Sequence, residues 1–238
     1  MSKERPILMS GAMVRAVLDG SKTQTRRIVK QLDPREGAVT TGGNGQPMAA
    51  CWAYGGPVIP CPYGVPGEHL WVRATWYRHD DRVQSGPYFE VDGAREILAY
   101  RADGERPYEA EQPVWRPSIH MPRWASRILL EIASVRVERL NDCSEADAKA
   151  EGVMQLDADN NPRPEARTKD GWQLCPTCAG TGLRTTLGAG GGVNFDVDCS
   201  DCDTHLKLYR HLWEAINGAG SWAANPWVWV IEFKQVTP

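Results

Sequence analysis

The sequence predicts an α+β fold in which one main domain of strands and helices carries an inserted metal-binding segment. Three observations predict it. Several short segments are rich in β-branched residues and alternate between apolar and polar side chains, other segments carry apolar residues at helical spacing, and two close cysteine pairs lie in a Gly/Pro-rich stretch. With 238 residues, 42% of them hydrophobic and 24% charged, the chain has the composition of a globular protein that buries its own core.

The first thirty residues predict a strand, a helix and a second strand. Residues 6–9 are a short apolar strand, and residues 12–19 carry one apolar helical stripe that ends at Gly20. Residues 23–30 are rich in β-branched side chains with an alternating pattern, which indicates a strand.

The middle of the chain predicts strands after a long irregular segment. Residues 33–67 contain many glycines and prolines and little periodicity, which favours a surface excursion. Residues 70–76 and 96–101 are typical of strands. Residues 127–140 give the longest strand pattern, and one change of phase in it indicates a β-bulge.

The last hundred residues predict two helices and a final strand. Ser144 is the expected N-cap of a helix that Gly152 ends. Residues 206–218 carry a second apolar helical stripe, and residues 227–236 are a strong strand.

These elements divide the chain into a main domain and one insertion. The main domain is expected to comprise residues 1–152 and 206–238. Residues 153–205 interrupt it, because Pro, Gly, Asp and Asn dominate there and regular patterns stop.

The insertion contains a predicted zinc site. Its cysteines form two pairs with a gap of two residues, Cys175 with Cys178 and Cys199 with Cys202. Each pair can chelate a metal from a tight turn, and two pairs supply the four tetrahedral sulfurs that Zn²⁺ prefers. A closed shell of four thiolates leaves no position for water, so the zinc is expected to be structural.

Charge and cysteine content restrict the partners and the compartment. The net charge is −3, but residues 1–30 carry seven basic and two acidic side chains, whereas residues 141–205 carry five basic and twelve acidic ones. A phosphate-bearing ligand would be attracted to the first region. No apolar run is long enough for a membrane span or a secretory signal, and the paired cysteines are typical of metal binding in a reducing compartment, so a cytoplasmic location is expected.

The strand over residues 23–30 combines groups that can act in chemistry. Thr25 and Arg27 are expected on one face of the strand and Arg26 on the other, with Lys22 at the preceding turn. Threonine is a weak nucleophile unless a base sits beside it, and a lysine can be that base when burial and neighbouring cations lower its pKa. The alternative is a solvated basic face or a phosphate clamp, which such strands more often form.

The stretch GSKTQTRR after a short helix resembles the G-x-K-x-x-T-x-R signature of ASCH domains, a branch of the PUA-like superfamily. The stretch VWVIEFKQV is similar to that family's closing strand. The resemblance implies a PUA-like β-barrel with flanking helices, into which the four-cysteine zinc knuckle is inserted. The layout as a whole resembles phage and prophage ASCH proteins, a likeness that carries little chemistry. The ASCH resemblance itself implies a protein directed at nucleic acid or a modified nucleoside.

One ASCH branch, the bacterial N4-acetylcytidine amidohydrolases, resembles this chain at its working positions. That resemblance implies Lys22 as the base, Thr25 as the nucleophile and Arg27 as a residue that orients the substrate. It also implies that Glu151, late in the helix after the long strand, is the catalytic glutamate. The first hypothesis is therefore an amidohydrolase of an N4-acylated cytidine or a related nucleoside.

The second hypothesis is a PUA-like module that binds RNA or DNA without catalysis, or an ASCH-type ribonuclease. Its basic contacts would come from Lys22, Arg15, Arg26 and Arg27. Tryptophans would stack on the bases, and the candidates are Trp71, Trp76 and Trp115.

Overall fold

The structure, a computed structural model, describes residues 3–30, 37–41, 47–51, 58–78, 98–104, 114–153, 175, 177–178, 183–187 and 193–236. The α-helices of this part are α1 (Gly11–Leu18), α2 (Glu145–Ala150) and α3 (His205–Asn217). Its strands are β1 (Glu4–Leu8), β2 (Gln24–Ile28), β3 (Gly37–Thr41), β4 (Pro47–Cys51), β5 (Val58–Pro60), β6 (His69–Arg73), β7 (Trp76–Arg78), β8 (Leu98–Tyr100), β9 (Leu129–Arg139), β10 (Leu183–Leu187), β11 (Val193–Asp198) and β12 (Trp227–Val236). The predicted α+β class is confirmed.

The main sheet has five strands in the order β1-β6-β9-β12-β2. β1 and β6 are parallel, and the other three pairs are antiparallel. Ile231 of β12 lies opposite Thr25 on one side and Val135 on the other. Within the described residues β1 and β2 are the edges of an open sheet, so the predicted closed PUA-like barrel is not confirmed.

The predicted bulge in the longest strand is confirmed. In the pairing of β12 with β9, Glu232 lies opposite Ser134 but the next residue, Phe233, lies opposite Ile132, so the register shifts by one residue. Ala133 is the additional residue, and the buried positions change phase across it.

β12 separates two apolar cores. Trp229, Ile231 and Phe233 pack into the first core, which also holds residues of β1, α1, β6 and β9. Val228 and Val230 pack into the second core, with α3 and the four paired cysteines. The alternation of a strand that is buried on both faces accounts for this division.

Local sequence signals set the helix boundaries. The Ser144 hydroxyl accepts a hydrogen bond from the Asp147 N–H and the Asp147 side chain accepts one from the Ser144 N–H, so the predicted N-cap is confirmed and forms part of a capping box. Gly20 and Gly152 follow α1 and α2 with positive φ angles of 80° and 78°. α3 extends to Asn217 and is capped by Gly218, as its stripe predicts.

Three small sheets lie outside the main one. β3, β4 and β5 form an antiparallel sheet within the segment predicted as an irregular excursion, so that prediction needs correction. These strands are short and made largely of small residues, and their backbone pairing requires no apolar alternation. β7 pairs with β8, and β10 pairs with β11 inside the predicted insertion. No helix in the described ranges is long and apolar enough to cross a membrane.

Candidate active site and metal centre

The end of α2 is joined directly to the start of β2. Lys22 and Glu151 form an isolated antiparallel bridge, and the Thr23 N–H donates to the carbonyl of Ala150 at 2.9 Å. The next residue, Gly152, leaves no space for a side chain, since a Cβ there would lie 2.7 Å from Cβ of Lys22 and 2.8 Å from Cβ of Ala16. The close approach fixes the backbone of Glu151 against β2.

The ammonium group of Lys22 is buried and fully hydrogen-bonded. Nζ donates to the carbonyl of Gln24 at 2.8 Å, to the carbonyl of Glu151 at 2.9 Å and to Oε2 of Glu151 at 2.8 Å. The side chain is 0% exposed. Burial lowers the pKa of Lys22, while the adjacent Glu151 carboxylate acts in the opposite direction. Since the Gln24 carbonyl belongs to the peptide bond before Thr25, the amine lies within one peptide unit of that residue.

The carboxylate of Glu151 is shared between two cations. Oε2 accepts from Lys22, and Oε1 accepts from Nη1 of Arg26 at 3.2 Å. The side chain is 3% exposed, so this is a buried ion pair with a second cation on its other oxygen. Such an arrangement compensates the cost of burying each charge.

Arg26 is the centre of a larger charged cluster. Its Nε and Nη2 donate to Oε1 of Glu138 at 3.1 and 2.6 Å, and Nη2 lies 3.4 Å from Oδ1 of Asp147. Burial disfavours the charged guanidinium, but Glu151 and Glu138 leave the pKa of Arg26 raised. The face of this guanidinium lies 5.9 Å from the ring centre of Tyr209. Arg26 therefore already contacts three carboxylates of its own chain.

A pocket of about 230 Å³ lies beside this cluster and is lined by residues of α1, β2 and α3. Both Thr25 and Glu151 line it, so the predicted nucleophile and the predicted glutamate face one space. Thr25 is buried, and its hydroxyl has no hydrogen-bond partner in the described part of the chain. Lys22 is not among the lining residues and lies behind Glu151.

Helix α3 closes the pocket with aromatic and apolar side chains. They include Tyr209, Leu212 and Trp213, all buried. The Tyr209 hydroxyl has no hydrogen-bond partner among the described residues, and the indole N–H of Trp213 is buried without one. Burial raises the pKa of Tyr209 and the nearby Glu151 carboxylate raises it further, so the phenol keeps its proton as a hydrogen-bond donor.

Two cationic side chains lie at and just beyond the C-terminal end of β2. Arg27 and Lys30 line the pocket, and Nη2 of Arg27 donates to the carbonyl of Leu8 at 2.6 Å. Nε of Arg27 is buried and has no hydrogen-bond partner within the described ranges. Lys30 is exposed and forms no hydrogen bond or ion pair with any described residue.

The other predicted binding residues do not line this pocket. Arg15 donates to the carbonyl of Ala102 at 3.0 Å. Trp71 is buried under the guanidinium of Arg73, and Trp76 is buried in the first core. Trp115 packs edge-on against Tyr77.

Sequence reasoning missed several pocket residues. Tyr63, Lys30 and the α3 side chains Tyr209 and Trp213 line the pocket beside the predicted residues. The apolar stripe of α3 predicted a buried face, but it could not indicate that this face meets β2. No local signal singles out Tyr63.

The four paired cysteines form a candidate metal centre. Sγ of Cys175 lies 3.8 Å from Sγ of Cys199, and Sγ of Cys178 lies 3.5 Å from Sγ of Cys202. All four sulfurs lie within 4.8 Å of one another. A tetrahedron with metal–sulfur bonds of about 2.3 Å has edges of about 3.8 Å, so this spacing fits one metal ion.

The metal centre is attached to the start of α3. Cys199 and Cys202 precede the helix, and all four cysteines belong to the second core. Glu145 of α2 accepts hydrogen bonds from the backbone N–H groups of His205 and Leu206 at 2.5 and 3.0 Å. The wall of the pocket and the metal centre are therefore parts of one packed unit.

Comparisons with protein-family models, with curated proteins and with solved structures found no match to this chain. Function is therefore inferred from the local sequence resemblance and from the geometry of the pocket.

Proposed function

We propose that the protein is an amidohydrolase that removes the acyl group from an N4-acylated cytidine or a related modified nucleoside. The observation that carries the proposal is that Thr25 and Glu151 line the same small pocket, while Glu151 is hydrogen-bonded to the buried amine of Lys22. These are the three residues that the ASCH resemblance implies as nucleophile, acid and base.

The size and lining of the pocket suit one modified base. Its volume of about 230 Å³ is below the range of roughly 300–1,000 Å³ that drug-sized ligands occupy. Tyr63, Tyr209 and Trp213 provide flat apolar surfaces for an aromatic ring. The partnerless hydroxyl of Tyr209 offers a donor to a carbonyl oxygen.

The Lys22–Glu151 pair can supply both an acid and a base. In the resting ion pair Lys22 has no lone pair to accept a proton. Transfer of one proton along the 2.8 Å hydrogen bond gives a neutral amine and a protonated carboxyl, which burial favours over separated charges. The neutral pair is the form we assign to catalysis, with Lys22 as base and Glu151 as acid.

In the first half of the reaction the acyl group moves from the base to Thr25, and the protons are exchanged within the pocket. The Thr25 hydroxyl attacks the acyl carbonyl as its proton passes to Glu151, which gives its own carboxyl proton to the Lys22 amine along their hydrogen bond. The developing oxyanion accepts a hydrogen bond from Tyr209. The carbon–nitrogen bond breaks as the Glu151 carboxyl protonates the leaving amine of the base. The products are an acyl ester on Thr25, free cytidine and the original Lys22–Glu151 ion pair.

Deacylation uses the same carboxylate as a base. A water molecule in the vacated part of the pocket loses a proton to Glu151 as it attacks the ester carbonyl. The proton then passes to the oxygen of Thr25 as the carboxylic acid leaves. The enzyme returns to its resting state, and the net reaction is hydrolysis of one amide bond.

The first experiment measures release of cytidine from N4-acetylcytidine by chromatography. Thr25→Val keeps the shape of the side chain and removes the nucleophile, so kcat/KM should fall by about 10³-fold or more. Thr23→Val is the matched control, because Thr23 is exposed and does not line the pocket. No cytidine release by the unmodified protein, or equal turnover in Thr25→Val, would contradict the proposal.

We further propose that the four cysteines hold Zn²⁺ in a structural role. Four buried thiolates with tetrahedral spacing are the donor set that zinc prefers, and they leave no coordination position for substrate. The zinc would fix the start of α3 and so the pocket wall.

We also propose that the main sheet belongs to a PUA-like fold of the ASCH type. The strand that carries the signature, β2, pairs antiparallel with β12, the strand that resembles the family's closing strand. The bulged strand β9 pairs with the other side of β12.

A further inference from the structure

The pocket carries an excess of positive charge at one side. Arg27 and Lys30 both line it. The lining carboxylate, Glu151, is already paired with Lys22 and Arg26, and Arg26 is further compensated by Glu138. Arg27 and Lys30 therefore remain without an anionic partner in the described part of the chain.

The guanidinium of Arg27 is held in place and has a buried donor that is unused. Nη2 is fixed by the carbonyl of Leu8, whereas Nε is buried and has no hydrogen-bond partner among the described residues. A buried donor without a partner costs free energy, and an acceptor on a ligand would remove that cost. Because the group is already ordered, such a ligand would lose little entropy on binding.

The two cations follow the proposed nucleophile along the chain. Thr25 and Arg27 are two residues apart on β2, which corresponds to about 6.5 Å along a strand. Lys30 lies beyond the end of β2, three residues after Arg27. Along the chain, the hydroxyl of Thr25 is therefore followed by the two cations, and all three residues line the pocket.

We propose that the substrate is a mononucleotide, an N4-acylated cytidine 5′-monophosphate, whose phosphate is bound by Lys30 and by Nε of Arg27. A nucleotide has the matching order, with the acyl group on the base and the phosphate at the far end of the sugar. Ammonium and guanidinium groups bind phosphate through charge-assisted hydrogen bonds, and an uncharged nucleoside would leave both unused. The inference that the base is acylated rests on the proposed function, whereas the phosphate site can be tested by binding alone, without turnover.

The test compares equilibrium binding of cytidine and cytidine 5′-monophosphate by calorimetry. The unmodified protein should bind the monophosphate about 10- to 100-fold more tightly, and high salt should reduce the difference. Lys30→Gln should reduce the preference to about threefold or less, since one of two phosphate ligands is lost. Lys234→Gln removes an exposed charge on β12 outside the pocket and serves as the matched control.

Equal affinity for the two ligands, or a preference that survives in Lys30→Gln, would overturn the proposal. Tighter binding of a single-stranded cytidine tetranucleotide than of the monophosphate would also overturn it, because the ligand would then be a strand. Activity separates the two proposals. If the monophosphate is preferred but its N4-acetyl derivative is not hydrolysed, the phosphate site stands and the hydrolase fails. If N4-acetylcytidine is hydrolysed but the monophosphate is not bound more tightly than cytidine, the hydrolase proposal stands and the phosphate site fails.

Discussion

The described residues contain two buried polar clusters, and they are completed in different ways. The charged cluster consists of Lys22, Arg26, Glu138, Asp147 and Glu151, and each of its charges has an opposite charge within the chain. The cysteine cluster consists of Cys175, Cys178, Cys199 and Cys202, whose sulfurs lie within 4.8 Å of one another, the spacing of a metal shell. The charges of the first cluster are therefore compensated within the chain, whereas the second has the donor set for a metal ion that would come from solution.

The two clusters are nevertheless connected by one helix. α3 starts beside Cys202, and further along it Tyr209 lies over Arg26 and lines the pocket. A change in the cysteine cluster should consequently reach the pocket wall. A change in the charged cluster should alter the chemistry of the pocket without affecting the metal.

The largest effect is expected from removing one metal ligand. Cys199→Ser should reduce bound zinc from about one ion per chain to none and lower the free energy of unfolding by roughly 5 kcal/mol or more, since a structural metal site contributes directly to folding. Metal analysis and denaturant unfolding measure the two quantities. Cys61→Ser is the control, because Cys61 lies outside the cluster. If the unmodified protein is purified without metal and is no more stable than Cys199→Ser, the cysteine cluster does not need a metal ion.

The next effect concerns the buried ion pair. Lys22→Met leaves the Glu151 carboxylate without its closest cation and should lower the free energy of unfolding by about 3–5 kcal/mol. Lys22→Met combined with Glu151→Leu should recover most of this loss, since an apolar pair can replace a buried ion pair. Zinc content should stay unchanged in both variants. Denaturant unfolding is the measurement, and a double variant no more stable than the single one would contradict the comparison.

The smallest effect tests the backbone between the clusters. Gly152→Ala should lower the free energy of unfolding by about 2–4 kcal/mol, because a positive φ is combined with contacts of 2.7 and 2.8 Å to Lys22 and Ala16. Gly20→Ala is the matched control, with a φ of 80° but nothing within 4 Å of the added Cβ, and should cost only about 1 kcal/mol. Equal losses in the two variants would show that the close approach at Gly152 has no energetic consequence.

The sequence predicted those features that depend on neighbouring residues. Ser144 and Gly152 mark the ends of α2 because caps act within a few residues. The final strand over residues 227–236 and the phase change at Ala133 are also local patterns. The cysteine pairs were recognisable because the chelating turn is itself local.

Features that depend on distant contacts were not predictable in the same way. Arg26 was predicted to meet a ligand, but Glu138 and Glu151, more than a hundred residues away, approach it only once the sheet has formed. Tyr209 reaches the pocket because α3 packs against β2, which its apolar stripe alone cannot indicate. Lys22 and Thr25 were candidates from their residue types, but their roles and the choice of Glu151 came from a family resemblance, since periodicity does not single them out.

The position of β12 has a consequence for how the chain is made on the ribosome. β2 is synthesised well before its partner in the main sheet, residues 227–236, which also separate the two cores. Until that segment has emerged, β2 and β9 lack their common neighbour, and the apolar faces that β12 covers stay uncovered. The nascent chain therefore carries an unpaired β2 until residues 227–236 have emerged, a period in which chaperones would be expected to engage it.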